Sequence, residues 1–227
     1  MTPIIHRPAD RKRYGRRRPL PALLILVILA ATSAIVWVNV LHQAANSTVR
    51  AVCPAGKNAP AKLPALTPLS YTALNSVTPA PAAQVKVRVL NASTQSGLAA
   101  RVDTALQQLG FVQAGPPAED PRYPLSDMRC FGQIRFGPNG AAAARTVSLV
   151  LPCAQLVRDG RQDPSVDDAL GSYSNDLAPT QDAKQVLTQL AAWAAKHPPT
   201  TGGLQAQSGQ QPAVSASLLA GAHTFQC

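Results

Sequence analysis

The feature that most constrains this chain is an uncharged, apolar run of 22 residues from Leu20 to Leu41. As an α-helix the run would rise about 33 Å, which is enough to cross a hydrocarbon core of about 30 Å. Backbone groups in lipid must satisfy their own hydrogen bonds, so a single span has to be helical. The run therefore predicts one transmembrane helix over residues 20–41.

Charge is distributed unevenly on the two sides of this run. The chain carries 21 Lys and Arg against 11 Asp and Glu, a net charge of +10. Residues 1–19 contribute +6, because they contain one acid, Asp10, and seven cations: Arg7, Arg11, Lys12, Arg13, Arg16, Arg17 and Arg18. Cations that flank a span stay in the cytoplasm. We therefore expect a basic cytoplasmic tail over 1–19, with the C-terminal part outside the cell membrane.

The apolar run could instead be a cleaved signal peptide, and the basic tail could bind either lipid or nucleic acid. Small residues at Ala31–Ala34 would suit signal-peptide cleavage, but the apolar run exceeds the usual signal-peptide core of about 7–15 residues. A retained anchor is therefore the favoured interpretation, and cleavage stays the alternative. The tail is too short to fold, so we expect it to meet anionic lipid in the plasma membrane and not nucleic acid.

All four cysteines follow the apolar run, which agrees with export to an oxidising compartment. They predict two disulfides among Cys53, Cys130, Cys153 and Cys227. Four thiols allow three pairings, and spacing alone does not choose among them. A strand over 131–136 and a helix over 139–151 would each be about 20 Å long. If the helix packs back along the strand, Cys130 would meet Cys153, which leaves Cys53 for Cys227.

The exported part divides into three segments. Residues 42–84 contain six prolines and predict an extended extracytoplasmic stalk. Residues 85–177 mix strand and helix patterns, so the predicted fold class is α/β (α+β), a small layered domain with short strands and two or three helices. Residues 178–227 predict a helix over Thr180–His197 followed by an irregular tail.

Periodicity places the elements of the α/β domain. Residues 85–90 alternate apolar and charged side chains as a strand does, and residues 95–109 repeat apolar side chains on one helical face. Asn91–Thr94 supply the turn and N-cap residues between them. Four further strands are predicted at 111–114, 130–136, 154–157 and 166–170. One further helix is predicted at 141–151.

The segment from Val87 to Phe111, VRVLNASTQSGLAARVDTALQQLGF, resembles the opening of the LytR C-terminal domain family. Ile134–Gly137, the Ala-rich helix after it and Leu170–Gly171 resemble the second half of that domain. With the anchor, stalk and exported cysteines, the whole chain resembles actinobacterial envelope integrity proteins. The resemblance implies a role in maintaining the cell envelope and a partner protein that carries the same domain. In many relatives the domain follows a phosphotransferase domain, whose activity we do not expect because only stalk and anchor precede it.

Catalytic chemistry has little support in the sequence. No histidine lies in residues 85–177, and there is no H-E-x-x-H, G-x-S-x-G or Walker A motif. Adjacent residues Asp167 and Asp168 would point to opposite faces of a strand, and we expect them at a solvated turn or strand edge. We therefore expect no catalytic residues, no cofactor and no metal site.

Two helix starts and several arginines are candidate sites for an anionic ligand, since free N–H groups and guanidinium groups attract anions. Ordinary capping and scattered surface charge explain them equally simply, and we favour those explanations. The candidates are Asn91, Ser93, Thr94, Asn139, Gly140, Arg101, Arg135 and Arg145.

The sequence thus favours a non-enzymatic, membrane-anchored envelope protein. Its domain would bind an anionic cell-wall polymer or another envelope protein. The alternatives are a cryptic wall-glycan hydrolase or transferase, which would need a polar cleft with close carboxylates, and a membrane-tethered regulator.

Overall fold

The computed structural model describes residues 25–38, 52–197 and 212–223 and divides the chain into two compact units, Met1–Ala44 and Ala45–Cys227. In the first unit, residues 25–38 are helical (α1). Among the described residues, no helix has the length and apolarity needed to span a membrane. The basic tail 1–19 and the rest of the predicted span 20–41 lie outside the described residues.

In the described part of the second unit, seven strands form one mixed sheet in the order β1-β6-β5-β7-β2-β3, with β4 also paired to β2. β2 is parallel to β3, β4 and β7, whereas β5 is antiparallel to β7 and parallel to β6. The expected α/β fold class is confirmed. The strands are β1 Thr67–Pro68, β2 Lys86–Asn91, β3 Val112–Gln113, β4 Ala118–Glu119, β5 Gly132–Phe136, β6 Gln155–Arg158 and β7 Val166–Leu170.

Four helices accompany the described sheet: α2 Leu98–Gln108, α3 Ala141–Val150, α4 Gln181–Lys196 and α5 Ala216–His223. The predicted C-terminal helix is confirmed as α4, and the Thr180 hydroxyl caps it by accepting from the Ala183 N–H at 3.1 Å. Two expectations were wrong. α2 begins after Gly97, whose φ of 72° suits glycine, and not at Gln95 after an Asn91–Thr94 cap. The tail expected to be irregular contains α5, which packs on α3 and α4.

The main hydrophobic core lies between one face of the sheet and helices α2 and α3. Strand side chains alternate between faces, so the apolar members of the central strands point into this core: Val87, Val89, Ile134, Phe136, Val166 and Leu170. The intervening residues point to the opposite face, which these two helices do not cover. We call that side the open face.

The segment before β2 packs against the domain instead of forming the extended stalk expected over 42–84. β1 pairs with β6, and the Leu69 N–H donates to the Leu156 carbonyl at 2.9 Å. Leu74 is buried in the main core. Sheet pairing and apolar burial therefore order this proline-rich segment, at least from Val52 onward.

The predicted disulfide pairing is wrong. Cys53 is bonded to Cys130, with the two Cα atoms 5.0 Å apart. Cys153 is also disulfide-bonded, and Cys227 lies outside the described residues. Cys130 is buried on the open face beside Leu90 and Ala169, and the N-terminal segment brings Cys53 there.

Candidate binding cleft

Three charged side chains lie in a row across the middle of the open face. Strand register places Asp167 on β7 between Arg88 on β2 and Arg135 on β5. Arg88 donates two hydrogen bonds to Asp167, from Nε to Oδ1 at 3.0 Å and from Nη2 to Oδ2 at 2.8 Å. The Arg88 side chain is 47% exposed and that of Asp167 is 7% exposed, so the carboxylate lies beneath the guanidinium.

The loop between β6 and β7 adds a second arginine to the same carboxylate. Arg161 Nη2 donates to Asp167 Oδ2 at 2.6 Å and to Asp159 Oδ2 at 2.7 Å. Burial raises the pKa of Asp167, but the hydrogen bonds from Arg161 and Arg88 outweigh it and hold the pKa below its ordinary value. Asp167 is therefore ionised at neutral pH.

At one end of this row of charged side chains, Arg135 forms a buried ion pair with Asp120. Arg135 Nη2 donates to Asp120 Oδ2 at 2.6 Å, and Arg135 Nε donates to Gln133 Oε1 at 2.9 Å. Only 3% of the Arg135 side chain and none of Asp120 is exposed. The other oxygen of Asp120 accepts the backbone N–H of Arg122 at 2.9 Å, which fixes the loop that carries Arg122.

These residues form the floor and sides of a cleft with a volume of about 560 Å³. The Arg122 side chain reaches across to donate to the Pro64 carbonyl. Burial lowers the pKa of Arg122, and the nearby charge of Arg135 lowers it further. The remaining walls come from the segment before β1 and from the loops after β3, β4 and β6: Leu63, Ala114, Pro121, Gly160, Asp163 and Ser165.

Comparison with known proteins identifies the family. The family model described as LytR cell envelope-related transcriptional attenuator matches residues 84–173, close to the 85–177 interval that the motifs indicated. The chain is also 40% identical over 182 residues to the cell envelope integrity protein Cei of Mycobacterium tuberculosis, covering 78% of this chain and 82% of that protein. The chain belongs to the LytR C-terminal domain family.

A solved structure agrees with this assignment. The soluble domain of a conserved hypothetical secreted protein from Mycobacterium marinum is 41% identical, with a TM-score of 0.56. The match covers 71% of this chain and 97% of that domain. This chain therefore shares its fold with nearly the whole of that crystallised domain.

The polar side chains of the turn after β2, which was predicted as an anion site, form hydrogen bonds within the domain. Asn91 Oδ1 accepts from the Ser93 hydroxyl at 2.8 Å and from the Ser93 N–H at 3.2 Å. The Asn91 amide donates to Glu119 Oε1 at 3.2 Å. Thr94 is exposed beside them. These polar groups are used to hold the turn between β2 and α2.

The other predicted site residues are dispersed over the domain. Arg101 pairs with Asp176 at 2.9 Å, and Asn139 donates to the Gln162 carbonyl at 2.7 Å. Gly140 is buried at the start of α3, and Arg145 is buried within that helix. Of the eight candidates, only Arg135 lies in the cleft.

Sequence reasoning missed most of the cleft. Arg88, Arg122 and Arg161 belong to the arginines that recur through the domain and that the sequence offers only as a possible patch for an anionic polymer, with scattered surface charge favoured. Asp120, Asp159 and Asp167 were not predicted to bind a ligand. The alternation in β2 and β5 was a usable signal, because it placed Arg88 and Arg135 opposite the apolar face. The favoured explanation of scattered surface charge does not hold for the arginines of the cleft, which the sheet register and the loops after β4 and β6 bring together.

The expectation that Asp167 and Asp168 lie at a solvated edge is wrong, although they do point to opposite faces. Both sit on the central strand β7 and are buried. Neither carboxyl oxygen of Asp168 has a hydrogen-bond partner within the described part of the chain. Burial raises the pKa of Asp168 to about 7, an effect that Arg135 partly offsets. Among the residues that the structure describes, no group of three or more His, Cys, Asp or Glu could hold a metal ion.

Proposed function

We propose that this chain is a membrane-anchored, non-enzymatic cell envelope integrity protein. Its extracytoplasmic domain binds a cell-wall component or another envelope protein through the open face of the sheet. The family and the 40% identity to a protein named for cell envelope integrity support the process. The cleft supports the binding role.

The observation that carries the proposal is the ion-paired cleft itself. A concave site of about 560 Å³ falls within the usual range of about 300–1,000 Å³ for small-ligand sites. Its charged groups are held by each other: Arg88 and Arg161 share Asp167, and Arg135 pairs with Asp120. Because these side chains are already fixed by ion pairs, they lose little further conformational freedom when a ligand binds.

The same ion pairs disfavour glycan hydrolysis, the enzymatic alternative. A hydrolase needs one carboxyl group with a raised pKa to act as general acid. In the cleft, arginines hold the pKa of Asp167 low, and both Asp120 and Asp159 accept hydrogen bonds from arginines. Asp168 has a raised pKa, but it lies on the helix-covered face, away from the cleft.

Three observations support placing the domain outside the cell membrane. The apolar run 20–41 has the length of a span, and the cations lie on its N-terminal side. The Cys53–Cys130 disulfide suits an oxidising compartment. The Mycobacterium marinum relative is described as a secreted protein. The plasma membrane and another protein with a LytR C-terminal domain are the partners that we propose alongside a wall polymer.

Crosslinking in the native envelope, followed by capture of the full chain, tests this function. We expect the wild-type chain to capture a wall polymer or an identified envelope protein, and Arg88→Gln/Arg122→Gln to capture much less. Arg101→Gln is the matched control, because Arg101 is half-exposed and ion-paired like Arg88 but lies outside the cleft. Capture that is equal for all three chains would contradict the proposal, as would turnover of wall fragments by the purified full chain.

A further inference from the structure

The buried carboxylates of the cleft already accept hydrogen bonds from its arginines. Asp167 accepts two bonds from Arg88 and one from Arg161. Asp159 accepts from the side chain and the backbone N–H of Arg161, and Asp120 accepts from Arg135 and from the Arg122 N–H. Asp167 and Asp159 therefore have little capacity left for hydroxyl or amine donors on a ligand, and Asp120 has no exposed surface through which a ligand could reach it.

Donors, in contrast, remain available at the cleft surface. Arg88 uses Nε and Nη2 on Asp167, which leaves Nη1 without a hydrogen bond to any described residue. Arg122 uses only Nη2, on the Pro64 carbonyl, so its Nε and Nη1 are likewise unused by the described chain. Guanidinium groups donate and never accept, so a ligand must bring the acceptors.

The position of the charges favours an anionic acceptor over a neutral one. The cleft holds four arginines and four aspartates, but the carboxylates of Asp120 and Asp167 are buried beneath the arginines. Arg122 forms no ion pair with a carboxylate of the described residues. The charge of Arg135 lies close enough to lower the pKa of Arg122, and Asp120 and Asp159 oppose that effect. An oxyanion beside Arg122 would relieve this repulsion between two arginines.

An exposed carboxylate, that of Asp163, lies at the rim of the cleft. Asp163 Oδ1 accepts from the Ser165 N–H at 2.9 Å and from the Ser165 hydroxyl, which leaves Oδ2 to face solvent. A ligand that suits both parts of the cleft carries an oxyanion for the arginines and hydroxyl donors for Asp163. The cleft volume of about 560 Å³ exceeds what a bare phosphate or carboxylate would fill.

We propose that the cleft binds an acidic sugar, whose phosphate or carboxylate contacts Arg88 and Arg122 while a hydroxyl donates to Asp163. This inference rests on the proposed binding function and names its ligand class. A phosphate-bearing glycan and a uronic-acid glycan share the required chemistry.

Titration calorimetry of the full chain in detergent micelles tests this proposal with three probes. They are N-acetylglucosamine 6-phosphate, glucuronic acid and uncharged N-acetylglucosamine, each at millimolar concentration. We expect at least one acidic sugar to bind about tenfold or more tightly than the neutral sugar, and more weakly as salt is added. Tighter binding of the phosphate sugar points to a phosphate-bearing glycan, and tighter binding of glucuronic acid points to a uronate polymer.

Arg122→Gln is the decisive variant, because it removes a guanidinium but leaves every ion pair of the cleft in place. We expect it to weaken binding of the acidic sugar about tenfold or more, the loss expected for a charge-assisted hydrogen bond. Arg101→Gln, outside the cleft, should bind as the wild type does.

Three results would overturn the inference: no binding of either acidic sugar, equal binding of the neutral sugar, or equal affinity in Arg122→Gln. The proposed function fails by different results. If the acidic sugars do not bind but crosslinking still captures an envelope protein through the open face, the function stands and only the ligand class is wrong.

Discussion

Adjacent carboxyl groups on β7 have opposite environments and therefore opposite effects of pH on stability. Asp167 faces two arginines, and its pKa is lowered in the folded state. It stabilises the fold above its ordinary pKa, and that stability is lost as the pH falls through the lowered pKa. Asp168 is buried among apolar side chains, and its pKa is raised from 3.8 to about 7. Stability is therefore lost as the pH rises from about 4 to about 7, and the loss is complete above that range.

Replacing Asp168 with asparagine should remove this penalty. We expect Asp168→Asn to unfold at higher denaturant than the wild type at pH 8, with a gain of at most about 4 kcal/mol. At pH 3, below the ordinary pKa of 3.8, Asp168 is mainly neutral in both the folded and the unfolded state, so the two proteins should have similar stability. Denaturant unfolding of the full chain in micelles at both pH values measures the difference. A gain that is the same at both pH values would show that ionisation of Asp168 is not its cause.

The buried Arg135–Asp120 pair and the exposed Arg101–Asp176 pair should differ greatly in their effect on stability. Asp120→Ala leaves the guanidinium of Arg135 buried without its carboxylate, which should cost about 3–5 kcal/mol. Asp176→Ala breaks a pair whose side chains are 50% and 75% exposed, and should cost no more than about 1 kcal/mol. Denaturant midpoints of both variants provide the measurement. Equal losses would mean that the buried pair does not stabilise the floor of the cleft.

At the scale of elements, local periodicity predicted what the strands and helices are but not how the strands pair. Alternation over residues 85–90 and 130–136 indicated β2 and β5, apolar spacing indicated α2 and α4, and a run of strong helix formers indicated α3. Pairing of β7 between β2 and β5 joins segments about 80 and 30 residues apart. No local pattern encodes that register, yet it is what places Asp167 between two arginines.

The disulfide shows the same limit. The parallel pairing of β5 with β6 brings the starts of both strands to one end of the sheet, as the strand and helix lengths had suggested for Cys130 and Cys153. The two cysteines nevertheless lie on different faces: Cys130 packs with Ala169 on the open face, and Cys153 lies beside Val150 and Leu170 on the helix side. Length arguments gave the correct end of the sheet but could not give the face.

Peptide mapping without reductant tests the disulfide arrangement. We expect a fragment that links Cys53 to Cys130 and, because the sequence has one further cysteine, a fragment that links Cys153 to Cys227. Cys53→Ser/Cys130→Ser should lose about 4 kcal/mol of stability, since the bond closes a loop with a sequence separation of 77. Recovery of a Cys130–Cys153 fragment would contradict this arrangement.

At the scale of the whole molecule, the chain combines a predicted membrane span with a domain whose cleft lies on the sheet face that α2 and α3 do not cover. Protease added to intact spheroplasts should remove the Ala45–Cys227 unit, because the cations before the run 20–41 retain the N-terminus inside. An epitope on the N-terminal tail should survive until the spheroplasts are lysed. Protection of the domain in intact spheroplasts would contradict the proposed topology.

The central claim is that the cleft on the open face is the means by which this protein supports the envelope. Complementation of cells that lack the protein, scored by their resistance to a detergent that attacks the envelope, tests it most directly. At equal protein levels by immunoblot, we expect the wild type and Arg101→Gln to restore resistance and Arg88→Gln/Arg122→Gln to fail. Full restoration of resistance by the cleft variant would contradict the account.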